Sequence, residues 1–172
     1  EAKEIYNEIM KKGEKFSISN CGMHAMDIMR METGFVHWGH DISPEENQYQ
    51  AGLDFAISYK KNVNFVGKQS LLKIKEKKIN KKLFMFVLNK SIPGKPLLLH
   101  DEPIYLGNKI IGRTTSGNYS FNFNKNLTYG YVNSGSTIDN LEDKTLFIEV
   151  EKKRYPASVI KIPLNNKNYK KL

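Results

Sequence analysis

The run Leu83-Phe84-Met85-Phe86-Val87-Leu88 limits the fold more than any other stretch of the chain. It has strand length and is apolar at every position, a pattern that suits a strand covered on both faces. A chain that carries it needs both a sheet and something packed against that sheet. The residues that follow supply the sheet. Glu102 to Leu106 and Lys109 to Thr114 flank Gly107-Asn108, a two-residue hairpin turn that tolerates positive φ. Leu127 to Val132, Thr145 to Val150 and Tyr155 to Ile162 read as further strands. Short strands joined by turn residues predict an antiparallel barrel or sandwich. No repeat of fixed period is visible.

The residues before the run are patterned differently. Ile5, Tyr6, Ile9 and Met10 recur at helical spacing, which predicts an amphipathic helix over 1–12 ended by Gly13 in a left-handed conformation. Glu1 already stands inside this pattern, so the sequence reads as a piece of a longer protein. A second helix is expected over 22–33, with Asn20 as its N-cap, Asp27 near its positive end and Gly34 as its stop. Met23, Met26 and Met29 follow at three-residue spacing and are expected to fill a core. Residues 34–53 mix aromatic and polar side chains without periodicity and read as an ordered loop. A strand over 53–59 and a helix over 67–78 follow. Residues 73–82 hold six Lys and one Glu, a solvated face and connector, and the expected boundary between a unit of 1–80 and a unit of 81–172.

Composition narrows the class of molecule. With 40% hydrophobic residues the chain buries a core rather than remaining disordered. No apolar run approaches the roughly 18 to 20 residues that span a bilayer, so no membrane partner is expected. The single Cys21 excludes an internal disulfide framework and, with no basic-then-apolar leader, fits a reducing, cytoplasmic setting. The formal charge of +9 is unevenly distributed, because residues 1–50 carry 5 Lys or Arg against 9 Asp or Glu and the basic excess lies beyond them. Such a field suits nucleic acid, an anionic surface or a polyanionic small ligand. The cations are Lys apart from Arg30, Arg113 and Arg154, which argues against a reader of base edges, because that task favours Arg forks.

His37, His40 and Asp41 are metal-ligand types, yet Trp38-Gly39 between them and Pro44 after them oppose a helix, and no Cys pair accompanies them. The two His side chains are expected to satisfy loop backbone, and no metal is expected. Nucleophile elbow, Walker loop and dinucleotide fingerprint are all missing. The segment Gly112 to Gly117 lies between strands and lacks the strand-to-helix context that cradles phosphate. The residues favour binding over chemistry. Arg30 offers a planar fork for a carboxylate and Trp38 a flat face for a heteroaromatic ring, with Glu32 close to Arg30 in sequence. The alternative is that Arg30 pairs with Asp27 or Glu32 and that Trp38 belongs to the core.

The order of short motifs is itself informative. Cys21-Gly22, Ala25, Asp27, Met29-Arg30-Met31-Glu32, Gly34, Trp38-Gly39-His40-Asp41, Ala51-Gly52-Leu53, Phe65-Val66-Gly67-Lys68 and Leu71-Leu72 resemble the glycine-cleavage T-protein (aminomethyltransferase) family. Ile111 to Gly117 with Tyr119-Ser120, and Tyr129-Gly130-Tyr131-Val132, resemble that family's C-terminal barrel. The likeness runs from about residue 4 to 163. His37-Trp38-Gly39-His40-Asp41 looks more like the folate-binding portion of dimethylglycine and sarcosine dehydrogenases.

The resemblance implies an α+β fold: the C-terminal part of a folate-binding domain over 1–80, then a small antiparallel β-barrel over 81–172. It implies tetrahydrofolate as cofactor, with FAD only in an N-terminal domain outside this sequence. The implied activity passes a one-carbon unit from a methylated glycine to tetrahydrofolate, within a parent oxidoreductase. A glycine-cleavage aminomethyltransferase is the alternative, and a non-enzymatic, RNA-associated basic module of the same family is a second. The family's catalytic aspartate and pterin-holding acid fall before Glu1, so no catalytic residue is expected here, the chain alone is expected to be inactive, and its partner is the N-terminal portion of the same protein. Arg30 matches the family arginine that contacts folate, Trp38 falls where a folate-facing aromatic is usual, and Glu32 is a further folate-binding candidate. Phe121-Asn122-Phe123 departs from the family's usual Pro-x-Leu, and the tail Pro163-Leu164-Asn165-Asn166 lacks its common aromatic.

Overall fold

In a computed structural model, which describes residues 1–61, 63–133 and 141–161, three helices precede a closed six-stranded barrel. The helices are α1 (Ala2–Gly13), α2 (Met23–Thr33) and α3 (Lys68–Lys75). The strands are β1 (Lys81–Leu88), β2 (Pro103–Leu106), β3 (Lys109–Ser120), β4 (Lys125–Asn133), β5 (Leu146–Val150) and β6 (Lys153–Ile160). They pair antiparallel in the order β1-β4-β3-β2-β5-β6, and β6 returns to β1 through Met85↔Ile160 to Leu88↔Ala157. Closure leaves no unpaired edge. Among the described residues no helix is long and apolar enough to cross a membrane.

The apolar run is covered on both faces. Phe84, Phe86 and Leu88 point into the barrel, where Ile104, Val132, Leu146 and Ile148 fill the interior. Leu83, Met85 and Val87 point outward and pack with Leu127, Tyr129 and Tyr131 of β4 against Ile28 and Met31 of α2. This outer layer is what brings the helical part of the chain to the barrel wall. The hairpin forms at the expected residues, with Leu106↔Lys109 as its last pair and Gly107 at φ 59°.

Several expectations are corrected. Gly13 is right-handed and lies inside α1; the left-handed stop is Ser17, at φ 56° after a 3₁₀ turn over Glu14–Phe16. What Gly13 supplies is room, since a Cβ there would stand 2.5 Å from Ile18 Cγ2. Asn20 does not cap α2, whose N-cap is Gly22. Its side chain instead hydrogen-bonds the Tyr6 hydroxyl at 2.9 Å, tying α1 to the link before α2. Gly34 does end α2, at φ 89°. The methionine stripe is not core: Met23, Met26 and Met29 are exposed, and α2 buries Ile28, Met31 and Glu32. Helical periodicity marks an apolar face without saying which face the barrel will claim. The expected strand over 53–59 is a 3₁₀ turn, Asp54–Ala56, held by Ala56 N to Leu53 O and Ile57 N to Asp54 O. A barrel already closed offers it no edge to join. The tail Pro163-Leu164-Asn165-Asn166 lies outside the described residues.

Gly112 lies on β3 against β4, and a Cβ there would lie 1.9 Å from the Tyr131 carbonyl oxygen. Because the obstacle is backbone in a closed barrel, Gly112→Ala is expected to destabilise by about 3 kcal/mol, the upper part of the overpacking range. Urea unfolding of the variant checks this, and a loss under 1 kcal/mol would show that the strands can part.

Candidate functional site

Arg30 stands one residue before Met31, the fully buried anchor of α2, and this register turns its side chain along the helix flank toward β3. The guanidinium is then surrounded by acceptors. Nε donates to Asp27 Oδ1 at 2.8 Å, and Nη2 lies 2.6 Å from the same oxygen. Nη1 donates to the Phe35 carbonyl at 3.1 Å and to Asp41 Oδ2 at 2.6 Å, while Nη2 donates to Ser116 Oγ at 2.9 Å. Every nitrogen of the fork has a partner within the chain.

Asp41 is the other half of this centre, and its side chain has no exposure. It accepts from Arg30, from the His37 backbone N–H at 2.8 Å and from the Thr115 hydroxyl at 2.6 Å. A carboxylate taken wholly out of water needs such partners to remain charged. The register of β3 provides one of them. Pairing with β4 shifts between Thr114↔Gly130 and Ser116↔Tyr129, leaving Thr115 unpaired in a bulge. In a regular strand neighbouring side chains point to opposite faces; the bulge turns Thr115 and Ser116 together toward Asp41 and Arg30.

The same contacts shape the loop after α2. Gly39 N donates to Ile42 O at 2.8 Å, Asp41 N to His37 O at 2.8 Å, and Gly39 takes φ 90°. This tight turn presents Trp38 outward, 64% exposed, so Trp38 is not part of the core. Arg30 and Trp38 line one cleft of about 500 Å³, together with Met23, Met26 and Leu99. Glu32 lies elsewhere. It is 3% exposed and accepts from the Ser120 hydroxyl and from Asn122 Nδ2 at 2.7 Å, so it fastens α2 to the end of β3 and does not line the cleft. Asn122 belongs to the Phe121-Asn122-Phe123 departure, which here has a structural purpose.

Beyond Asp41, the loop is held by a second ion pair. Glu46 Oε1 lies 2.5 Å from Lys81 Nζ at the start of β1, and the Ser43 backbone N–H donates to Glu46 Oε2 at 2.9 Å. Burial raises the Glu46 pKa, but hydrogen bonding and attraction to Lys81, with the Ser43 contacts, outweigh it and leave it lowered. This support is therefore complete above the ordinary carboxylate pKa and lost as pH falls through the lowered value. Tyr129 and Tyr131 lie under the loop with buried hydroxyls that have no hydrogen-bond partner among the described residues. Burial and the nearby Asp41 push the Tyr129 phenol up, against a smaller opposing effect of Arg30.

Arg30 and Trp38, the pair that stands out in the sequence, come together in one cleft. Asp41 stands in the sequence as a metal-ligand type and a motif residue, and Thr115 and Ser116 lie in the Gly112-to-Gly117 segment, with no pairing between them apparent there. The spacing of Asp41 from His37 signals a turn, but the bulge that aims Thr115 has no sequence signature.

Comparison with known proteins gives these residues a setting. The model described as GCVT N-terminal domain matches residues 1–61, and that described as Glycine cleavage T-protein C-terminal barrel domain matches residues 81–165. Dimethylglycine dehydrogenase, mitochondrial, of Rattus norvegicus is 34% identical over 162 residues, covering 93% of this chain and 18% of that protein. An aminomethyltransferase of Symbiobacterium thermophilum is 30% identical over 129 residues, 74% of this chain and 33% of that protein. The chain thus spans about a fifth of the dehydrogenase and a third of the aminomethyltransferase. The crystal structure of glycine cleavage system aminomethyltransferase T from Bartonella henselae superposes with a TM-score of 0.71 at 23% identity, over 82% of this chain and 38% of that one, a likeness of fold.

Two stability predictions come from this geometry. Asp41→Ala leaves Arg30 short of its buried partner, and Arg30→Met leaves a buried carboxylate with one charge partner fewer; each is expected to cost about 3 kcal/mol. The double variant is expected to cost clearly less than the two together, and additive losses in a denaturant cycle would show that the pair does not act as a unit. Tyr129→Phe removes a hydroxyl that is buried without a partner among the described residues, so stability is expected to hold or to rise by up to about 1 kcal/mol. A measured loss above that size would reveal a partner for the hydroxyl.

Proposed function

Because this chain belongs to the glycine-cleavage T-protein (aminomethyltransferase) family, we propose that it is a folate-binding part of a larger enzyme, in which the Arg30 and Trp38 cleft faces tetrahydrofolate. The observation that carries this reading is the single exposed Trp38 on the wall of a cleft of about 500 Å³. That volume lies within the roughly 300 to 1,000 Å³ typical of small-ligand sites, and the mixture of apolar walls with a few polar groups is the usual lining. An aromatic ligand of pterin or aminobenzoyl type fits the Trp38 face, which is held out by the turn at Gly39. Arg30 keeps that wall in place through Asp41, and its charge lies at the edge of the cleft.

Tetrahydrofolate, when bound, supplies the nitrogens that accept a one-carbon unit. This chain would bind and orient it and keep water from one side of the ring. The parent reaction in this reading is transfer from a methylated glycine, the substrate class in the name of the 34% identical relative. Glycine-cleavage aminomethyl transfer is the alternative, because an aminomethyltransferase matches over 74% of the chain. Two units dividing near residue 80 belong to the same proposal. So does a partner in the remainder of a longer protein. Helix α1 buries none of its residues, and Ile5, Tyr6, Ile9 and Phe16 stand exposed, a face suited to packing against a further domain.

Trp38 is the only tryptophan, so its fluorescence reports on this cleft alone. Titration with 5-formyltetrahydrofolate is expected to quench it saturably, and Trp38→Ala to weaken calorimetric affinity by about 1 kcal/mol, the scale of an aromatic pair. Absence of saturable quenching and of binding heat would overturn the reading.

A further inference from the structure

All four histidines of the chain, His24, His37, His40 and His100, line the cleft that holds Arg30 and Trp38. They come from three separate segments: His24 from α2, His37 and His40 from the turn after it, and His100 from the stretch before β2. All four are exposed, and the rings of His37 and His40 lie 4.6 Å apart between centroids. Among the described residues no lysine lines this cleft, although the chain is strongly basic. Its one fixed cation is Arg30, whose nitrogens are already bonded to Asp27, Phe35, Asp41 and Ser116.

The fixed charges around the imidazoles do not favour an anion. From α2 come Asp27 and Arg30, and from the turn comes Asp41. The stretch before β2 brings Asp101, whose Oδ2 lies 2.8 Å from His100 Nδ1, and Glu102, which accepts from Leu99 N and Thr114. From β3 comes Arg113, 3.1 Å from Asp101. Four carboxylates thus stand against two guanidiniums. A ligand carboxylate entering this cleft finds no free fixed cation, and only the imidazoles can supply positive N–H donors. Histidine is the side chain whose charge ordinarily changes between pH 5 and 8.

Resting on the folate reading above, we infer that these histidines are the residues that take the carboxylate arm of an aromatic polycarboxylate ligand, so that binding is coupled to proton uptake. Trp38 and the methionines take the ring, and the imidazoles take the anionic end. The ligand's carboxylates stay ionised across pH 6 to 8, which leaves the protein as the source of any pH dependence. The sign follows from the charge that gains a partner. Binding favours protonated imidazole, so affinity is highest on the acid side and falls as pH rises.

The test is calorimetry of the 172-residue chain with 5-formyltetrahydrofolate at pH 6 and pH 8, in buffers of different ionisation enthalpy. If a carboxylate contact raises one imidazole's pKa by about one unit, affinity changes roughly sixfold over that range. A gain of at least that size at pH 6, with net proton uptake, is expected. In the double variant His37→Gln and His40→Gln the gain at pH 6 and the proton uptake are expected to shrink, while the circular dichroism spectrum is unchanged, since these side chains are exposed and their loss leaves the core intact. A pterin without carboxylates, 6-methylpterin, is expected to bind with no proton uptake. Equal folate affinity at both pH values without proton uptake would overturn this inference and leave the folate reading standing. A pH dependence unchanged when all four histidines are glutamine would do the same. Failure of folate to bind at either pH would overturn the folate reading, and this inference with it.

Discussion

A buried guanidinium–carboxylate contact, Arg30 to Asp41, joins helix α2 to the turn after it, and the hydrogen bonds around it reach the bulge of β3. Helix α2 contributes Arg30 and Asp27, the turn after it contributes Asp41, and the bulge of β3 contributes Thr115 and Ser116. Apolar packing of Ile28 and Met31 on β1 and β4 presses α2 to the barrel, but such packing is not directional. The ion pair with its hydrogen bonds supplies direction, because a carboxylate with no exposure can keep its charge in few arrangements. The Trp38 turn therefore has its position set by a side chain three residues beyond it.

This has a consequence for how the cleft can bind. An arginine that is fully engaged in holding a wall is a poor hook for a ligand, since each donor offered to a guest must leave an internal acceptor. The sequence offered two uses for Arg30, a fork for a carboxylate or a partner for a neighbouring acid. The structure realises the second with Asp27 and adds Asp41, which lies eleven residues away. Glu32, the other acid considered as its partner, is drawn instead to Ser120 and Asn122 across the end of β3.

What could be read in advance, and what could not, divides along the range of the interactions involved. The strands of the barrel are marked by local features, the six-residue apolar run and the Gly107-Asn108 turn, and they form where expected. The outward face of β1 could be anticipated because no polar residue interrupts it. The side of α2 that meets the barrel could not, since Met23, Met26 and Met29 compete on equal terms with Ile28 and Met31 until the turn and the barrel choose between them. The 3₁₀ turn at Asp54–Ala56 was hidden for a similar reason. Its residues suit a strand, and only the closed barrel denies them a partner. The bulge at Thr115 depends on pairing with β4 and left no trace in the local sequence.

The excess of lysine acquires a definite place in this arrangement. Long-range attraction acts over about 8 to 10 Å in physiological salt and needs no fixed contacts, so lysines anywhere on the surface can raise the local concentration of a polyanion. Retention is a different task, requiring donors within hydrogen-bond reach, and among the described residues no lysine stands in the cleft to provide them. The chain thus separates the two. A net positive chain carries a cleft lined by one carboxylate, one engaged guanidinium and four imidazoles. In such a design the field would govern arrival at any pH near neutrality, while the imidazoles would govern how long an anionic end remains. Capture and release can then respond to different variables, salt for the first and protons for the second.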